Sequence, residues 1–213
     1  MRFCVFFVCV MVCLGVACPS FADDTATLQK AWETYNIGHY KETMTLLQPL
    51  ASNGNATAQI LVGRCYENGL GVPQNMETAA KWYALAAEQN NPQAMVLLGY
   101  CYEHGLGVPK DTAKTVSLME GAANKGSAEA QFNVAMYYNL GKYGKAKDFN
   151  ASFAWAKRSA DQGYAEAERY VGACYENGIG TPVDLALAKE WFAKAAKKGL
   201  GKEGTIVQKH ALP

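Results

Sequence analysis

The sequence predicts an all-α protein, a right-handed α-solenoid of about five antiparallel helix pairs. Three observations predict this fold. A pattern recurs every 36 residues, apolar residues within each copy follow helical spacing, and loops containing glycine and proline separate the helical stretches. Such a period is typical of stacked helix pairs, because one pair alone cannot bury its apolar face.

The period appears as identical residues at matching positions in successive copies. From the first copy to the second, every landmark moves by 36 positions: Ala58 to Ala94, Gly63 to Gly99, Cys65 to Cys101, Tyr66 to Tyr102, Gly71 to Gly107 and Pro73 to Pro109. The third copy has one residue inserted in its loop, and the fourth aligns again after it. We therefore expect four repeats, at residues 56–91, 92–127, 128–164 and 165–200.

Each copy predicts two helices joined by a loop. In the first copy, helical spacing runs from about Thr57 to Asn68, and Gly69 suits a helix end because glycine accepts a left-handed backbone. The second helix carries a stripe of small and aromatic residues, Ala79, Trp82, Ala86 and Ala87. Residues suited to cap its start recur in all copies: Asn75, Asp111, Asp148 and Asp184. Residues suited to close it are Asn90, Gly126, Gly163 and Gly199.

The regions outside the four copies differ from them. Residues 23–55 predict a shorter helix pair of the tetratricopeptide type, with a compact helix–turn–helix junction at Tyr35–Tyr40. Leu46, Leu47 and Leu50 form an apolar face in its second helix. Residues 201–213 do not continue the pattern, and we expect a tail or a cap there.

The pattern resembles the Sel-one-like repeat family, a relative of the tetratricopeptide repeats. The resemblance depends on Gly63-x-x-Tyr66-x-x-Gly69-x-Gly71-Val72-Pro73, on Ala79-x-x-Trp82-x-x-x-Ala86-Ala87, and on their copies over roughly two thirds of the chain. The third copy departs most: Tyr137 replaces the cysteine, and 141–146 replace the Gly-Leu-Gly-Val-Pro loop. The second copy has Leu118 in place of the tryptophan.

The N-terminus predicts an export signal in residues 1–22. Arg2 precedes an apolar run from Phe3 to Val16, and Ser20-Phe21-Ala22 places small residues where a signal peptidase reads them. The run is shorter than the ~20 residues that a membrane-spanning helix needs. We therefore expect no transmembrane segment and a periplasmic or secreted protein that begins at Asp23.

Lipid attachment at Cys18 is the second interpretation of this region. Gly15-Val16-Ala17-Cys18 resembles the lipobox of bacterial lipoproteins, which usually begins with leucine rather than glycine. We favour the soluble product, and the first residue of the mature chain distinguishes the two.

Charge balance argues against two classes of partner. The chain has 20 basic and 19 acidic side chains, and residues 1–22 contain only one of them, Arg2. A domain with balanced charge gives no electrostatic reason to expect nucleic acid or an anionic membrane surface as a partner.

Three cysteines outside the signal occupy one position of the repeat: Cys65, Cys101 and Cys174. Packed helices lie 8–10 Å apart, whereas the Cα atoms of a disulfide lie within about 7 Å. We therefore expect free thiols that pack as small apolar groups. A redox or metal-binding series of thiols is the functional alternative.

No motif for catalysis, metal or cofactor binding stands out. His39, His104 and His210 are dispersed, and neither a GxSxG nor a phosphate-binding GK[ST] loop occurs. Some cysteine-rich secreted members of the family are described as penicillin-binding or β-lactamase-like, which leaves a cell-wall hydrolase as the alternative function. Those members carry paired cysteines in each repeat, and none of four serines here begins an SxxK motif: Ser117, Ser127, Ser152 and Ser159. We therefore expect neither an enzyme nor a cofactor.

The resemblance implies a partner-binding surface. In related tetratricopeptide proteins the first helix of each pair lines a concave face, and the matching positions here are Ile60, Arg64, Glu67, Asn68, Val96, Tyr100, Glu103, His104, Phe132, Met136, Asn139, Arg169, Glu176 and Asn177. Large side chains such as Tyr100 and Met136 are enriched at protein interfaces. Glu67, Glu103 and Glu176 suggest an acidic series for a basic segment; the alternative is a structural role at the helix end. The sequence thus predicts a non-catalytic scaffold that binds another protein or a peptide.

Overall fold

The computed structural model describes residues 21–200, and these are helical throughout apart from short connections. Most of the predicted signal and the whole tail 201–213 lie outside the described residues, while Ala22 lies in the first turn of the first described helix. Within 21–200 there are ten helices: α1 Phe21–Asn36, α2 Tyr40–Ser52, α3 Ala56–Asn68, α4 Met76–Glu88, α5 Pro92–His104, α6 Thr112–Asn124, α7 Ala128–Leu140, α8 Phe149–Asp161, α9 Ala165–Asn177 and α10 Leu185–Lys197. The prediction of an all-α helical repeat solenoid is confirmed.

The chain divides into two compact units, Met1–Asn75 and Met76–Pro213. The described helices of the first unit are α1–α3, and those of the second are α4–α10. The boundary falls at the end of the loop in the first repeat.

The first unit contains the shorter helix pair, joined by the turn that the sequence predicts. Gly38, in the turn between α1 and α2, has a φ of 82°, which glycine adopts without steric cost. The buried hydroxyls of Thr34 and Thr43 lie 2.8 Å apart and link the two helices, with Leu47 fully buried beside them. In α3, Gln59 Nε2 donates to the carbonyl of Ala51 at 3.1 Å. These contacts give the short pair its own core.

In the second unit, small residues bring the two helices of a pair close together. A Cβ added to Gly99 would lie 3.0 Å from Met119 Cε, and one added to Gly172 would lie 3.0 Å from the Phe192 ring. Two apolar clusters follow this spacing, one around Met119 and one around Phe132. The small positions of the repeat therefore have the packing role that the sequence suggests.

Local chemistry fixes the helix ends of the second unit. Gly105, Gly141 and Gly178 end the first helices in the left-handed conformation. The second helices start at predicted side-chain caps, because Asp111, Asp148 and Asp184 accept backbone N–H groups at 2.9–3.0 Å. Capping of this kind contributes roughly 1 kcal/mol at each helix.

The three cysteines are buried free thiols, in agreement with the packing argument. Burial raises the pKa of Cys65 and of Cys174 to about 11. A thiol that stays protonated at neutral pH is a poor nucleophile and a poor metal ligand.

No helix between residues 21 and 200 is both long enough and apolar enough to span a bilayer.

Candidate functional site

The predicted partner-binding residues occupy four positions of the 13-residue first helices α3, α5, α7 and α9. The fifth position is buried in all four repeats, with 2–7% of each residue exposed: Ile60, Val96, Phe132 and Arg169. Val96 and Phe132 belong to the two apolar clusters. Residues at this position support the surface and expose little area to a partner.

The ninth position is half-buried and varies most among the repeats. It holds Arg64 in α3, Tyr100 in α5 and Met136 in α7, whereas α9 has Ala173. Met136 packs against the apolar cluster around Phe132. This position therefore presents large side chains in three of the four repeats.

The last two positions of the first helices are polar, except that α7 ends at the exposed Leu140. Half-buried side chains occupy the twelfth: Glu67, Glu103, Asn139 and Glu176. The polar side chains at the thirteenth are exposed, and they are Asn68, His104 and Asn177. The amides of Asn68 and Asn177 donate at 2.9 Å to carbonyls four residues earlier in their own helices. These two asparagines therefore serve the ends of their own helices.

Tyr100 is the centre of a hydrogen-bonded group between α5 and α7. Its hydroxyl donates to Glu129 Oε1 at 3.0 Å and accepts from Asn133 Nδ2 at 2.9 Å. The ring also stacks on His104 with centroids 6.5 Å apart. Tyr100 therefore has a fixed orientation and holds one carboxylate of the next repeat in place.

A second tyrosine–carboxylate contact joins α5 to the irregular loop of the third repeat. Tyr143, in that loop, donates its hydroxyl to Glu103 Oε1 at 2.6 Å. Its ring packs edge-on against Tyr137 with centroids 4.6 Å apart. The predicted residue Glu103 is thereby oriented by a side chain 40 positions away.

Tyr164 extends the same surface to the start of α9. The centroid of its ring lies 5.7 Å from that of Phe132. Burial, followed by the charges of Glu166 and Glu129, raises the pKa of Tyr164. We call the set Tyr100, Glu103, Glu129, Tyr143 and Tyr164 the tyrosine–glutamate surface. The second and third repeats contribute to it, and it ends where α9 begins.

The tyrosine–glutamate surface is electrically negative. Burial, followed by the charge of Glu129, raises the pKa of Tyr100 well above its usual range. Burial and the bond to Glu103 raise the pKa of Tyr143 to about 12. The tyrosines therefore stay neutral at physiological pH. Within the described residues, no lysine or arginine pairs with Glu103 or Glu129. Neutral hydroxyl groups orient the two carboxylates, and the imidazole of His104 lies 4.0 Å from Glu103.

Two buried charges lie at the start of α9. Glu168 is 3% exposed, and its Oε1 forms an ion pair with Lys198 Nζ at 2.7 Å. Its Oε2 has no hydrogen-bond partner in the described part of the chain. Burial lowers the pKa of Arg169, and its Nε has no partner among the described residues. These groups lie at the last described repeat.

Three of the four serines considered for an acylating hydrolase have structural partners, and the fourth, Ser117, is exposed on α6. Ser127 caps α7 by accepting from the N–H of Ala130 at 3.3 Å. Ser152 and Ser159 are buried, and they bond the hydroxyl of Tyr170 and the carbonyl of Ala128 respectively. In residues 24–200, no group of three or more histidine, cysteine or acidic side chains has the arrangement of a metal site.

Sequence reasoning missed three members of the tyrosine–glutamate surface, although two of them, Tyr143 and Tyr164, break the repeat pattern. Tyr164 stands at the helix start where the other copies have Asn55, Asn91 and Ser127. Tyr143 stands two residues after the helix-ending glycine, where the regular loops have a second glycine. Glu129 has only weak signal, since its position is polar in every copy.

Repeated helix pairs with capped ends and buried small residues define an α-helical repeat protein. A family model for the Sel1 repeat matches residues 56–91, 92–127, 128–164 and 165–200, and the chain belongs to this family.

A curated relative is chitin synthase regulatory factor 3 of Schizosaccharomyces pombe. It is 31% identical over 169 residues, which are 78% of this chain and 14% of that protein. The chain therefore spans only a small part of this relative.

Two solved structures are similar over most of the chain, and each has a TM-score of 0.72. One is a Sel1 repeat protein from Oxalobacter formigenes, 35% identical, with 76% of this chain and 46% of that chain covered. The other is a protective antigen of uropathogenic Escherichia coli strains with an SLR fold, 29% identical, with 83% and 38% covered. The Sel1 repeat architecture fits a protein-binding role.

Proposed function

We propose that this protein is a non-catalytic scaffold that binds a basic peptide segment of another protein on its tyrosine–glutamate surface. The observation that carries the proposal is the pairing of Glu103 and Glu129 with tyrosine hydroxyls. A neutral donor orients each carboxylate without cancelling its charge, so both remain available to a lysine or arginine of a partner.

Aromatic rings support the same partner chemistry. A lysine or arginine side chain binds over the face of a tyrosine ring with a gain of about 0.5–2 kcal/mol. Tyr100, Tyr143 and Tyr164 lie beside the carboxylates, so a basic segment would meet a ring and a charge in each repeat. Met136 adds a flexible apolar side chain near this surface.

The regulator name of the fission-yeast relative supports a non-catalytic role. The region shared with this chain is only 14% of that relative, so a regulatory role for this chain is part of the proposal. A cell-wall hydrolase remains the alternative by family resemblance, and nitrocefin turnover above a heat-treated control would be required to favour it.

We propose further that residues 1–22 direct export and are removed, so that the mature chain begins at Asp23 in the periplasm or outside the cell. The apolar run Phe3–Val16 and the small residues before Asp23 support it. The mass of the protein recovered from the exported fraction tests it. A lipidated Cys18 would replace the soluble form, and an intact Met1 would contradict cleavage.

Site-specific cross-linking tests the binding surface. A photoreactive residue at Tyr100 should capture a partner in the native compartment, whereas the same residue at exposed Ala154 on α8 should not. Identical products from both positions would contradict the proposed surface.

Charge variants then test the chemistry on the captured partner. Glu103→Gln together with Glu129→Gln should weaken binding several-fold and reduce its salt dependence, since each amide keeps the acceptor oxygen but loses the charge. The matched control is Glu88→Gln with Glu190→Gln, two exposed carboxylates on second helices. The double variant Tyr100→Ala/Met136→Ala should no longer recover that partner in a pull-down, and unchanged recovery would remove this surface from the proposal.

A further inference from the structure

The regular loops of the second unit close onto the preceding second helix through one glycine. Gly107, with a φ of 70°, lies against the carbonyl of Met76, the first residue of α4. Gly180, with a φ of 66°, lies against the carbonyl of Phe149, the first residue of α8. A Cβ on either glycine would overlap that carbonyl oxygen, so the contact requires glycine.

The third repeat has Tyr143 at this position. Tyr143 follows the helix-ending Gly141 by two residues, as Gly107 follows Gly105, and it keeps a left-handed φ of 56°. Its Cβ excludes the same approach to Thr112, the first residue of α6. A Cβ on the next residue, Gly144, would meet no atom within 4 Å, so Gly144 does not replace the glycine–carbonyl contact.

An open groove lies where the glycine contact is absent. Its volume is about 750 Å³, and its lining includes Thr112, Ala113, Val116, Ser117, Tyr143 and Gly144. Thr112 and Val116 hold the same helix positions as Phe149 and Phe153, the two residues that Gly180 contacts on α8. We call this space the α6 groove. It is the counterpart of a site that the chain fills itself in the neighbouring repeats.

Three contacts hold the α6 groove open. Tyr143 is fixed by its bond to Glu103 and by its packing on Tyr137. Lys145 pairs with Glu120 at 2.5 Å and ties the end of the loop to α6. A site that needs no ordering of its walls retains more of its binding energy.

We infer that the α6 groove binds a glycine-containing turn of another protein, of the Gly-x-Gly-x-Pro type found in the loops that contact α4 and α8. The occupied sites on α4 and α8 set the chemistry of the occupant. A residue there must adopt a positive φ and bring its Cα against a helix carbonyl, which only glycine does readily. The α6 groove shares Tyr143 with the tyrosine–glutamate surface, but its other lining residues lie outside that surface.

A peptide with the chain's own loop sequence, Glu103–Asp111 with blocked ends, is the probe. On addition to the full chain it should shift the amide NMR signals of Thr112, Val116 and Gly121. A matched peptide with alanine in place of the second glycine should bind roughly tenfold more weakly, because its Cβ would overlap the Thr112 carbonyl. Absence of shifts, or equal shifts from both peptides, would overturn the inference.

Variants of the protein distinguish binding at the α6 groove from binding at the tyrosine–glutamate surface. Ser117→Trp fills the groove from an exposed position of α6, and Ala154→Trp places the same side chain at the equivalent exposed position of α8. Peptide shifts should vanish in the first and persist in the second, with circular dichroism confirming that both fold. They should also persist in Tyr100→Ala/Met136→Ala, which affects only the proposed function. Shifts at the groove that appear with protein concentration alone would assign it to a second copy and overturn the inference.

Discussion

The loop after α7 and the loop after α9 start and finish alike, yet only the second closes on a neighbouring helix. Each begins at a left-handed glycine, Gly141 or Gly178, and each ends at a capping aspartate. They differ two residues after the glycine, where one has Tyr143 and the other Gly180. The caps therefore set the helix ends in both loops, whereas docking requires the glycine that the longer loop of the third repeat lacks.

The largest loss in the free energy of unfolding is expected when Tyr137 of the third repeat is replaced by the cysteine that the other copies have. Tyr137→Cys removes a buried ring, 6% exposed, that packs on Tyr143. Urea unfolding should show a loss of about 3 kcal/mol, the usual cost of deleting a buried aromatic side chain. Cys174→Ala, a smaller truncation at the same position of α9, is the control. Equal losses would mean that the irregular loop does not depend on the Tyr137 ring.

Replacing one glycine of each loop by alanine should lower the free energy of unfolding by different amounts in the two loops. Gly180→Ala should cost about 2–3 kcal/mol, because the new Cβ overlaps the Phe149 carbonyl and the left-handed φ is strained. Gly144→Ala should cost about 1 kcal/mol, from the φ of 77° alone. Urea midpoints measure both, and equal costs would contradict docking as the difference.

The Tyr143–Glu103 bond should give a smaller effect that depends on pH. Tyr143→Phe keeps the ring and removes the hydroxyl, at a cost of about 1 kcal/mol near pH 7. The folded pKa of Tyr143 is raised to about 12 from 10, so its contribution is complete below pH 10 and is lost as the pH rises to 12. The difference in unfolding free energy between wild type and variant should therefore shrink over that window. A difference that stays constant would contradict this assignment.

The smallest difference between the loops is expected at their aspartate caps. Asp148→Ala in the third repeat and Asp184→Ala in the fourth should each cost about 1 kcal/mol in urea unfolding. Both carboxylates accept backbone N–H groups at 2.9–3.0 Å, regardless of what the loop before them does. Unequal costs would show that docking and capping are coupled.

The fold was predictable because its determinants are local. Glycine at helix ends, aspartate at helix starts and small residues at the helix contacts act within a few positions of the chain, so a period exposes them. In the second helix of the first repeat, the spacing of apolar residues predicted Trp82 as the aromatic residue of the buried stripe. Tyr83 is the buried residue, 1% exposed, and Trp82 is half-buried. Periodicity does not separate two adjacent aromatic residues.

The candidate site was predictable only in part, because its contacts are long-range. The ninth helix position was identified from its variability, and Tyr100 does lie at the centre of a polar group. Its partner Glu129 is 29 residues away, and Tyr143 is 40 residues from Glu103. The departures from the repeat at Tyr143 and Tyr164 were visible in the sequence, but the geometry that gives them meaning required the packed helices.

The capped ends of the irregular loop have a consequence for protein engineering. Gly141 and Asp148 satisfy the two flanking helices on their own, so the segment between them can change length without disturbing either helix. The natural one-residue insertion demonstrates this tolerance. An insertion between Ala146 and Lys147 would keep the contacts of Tyr143 and Lys145, so this is the position at which we would graft a foreign epitope or a reporter loop into this solenoid.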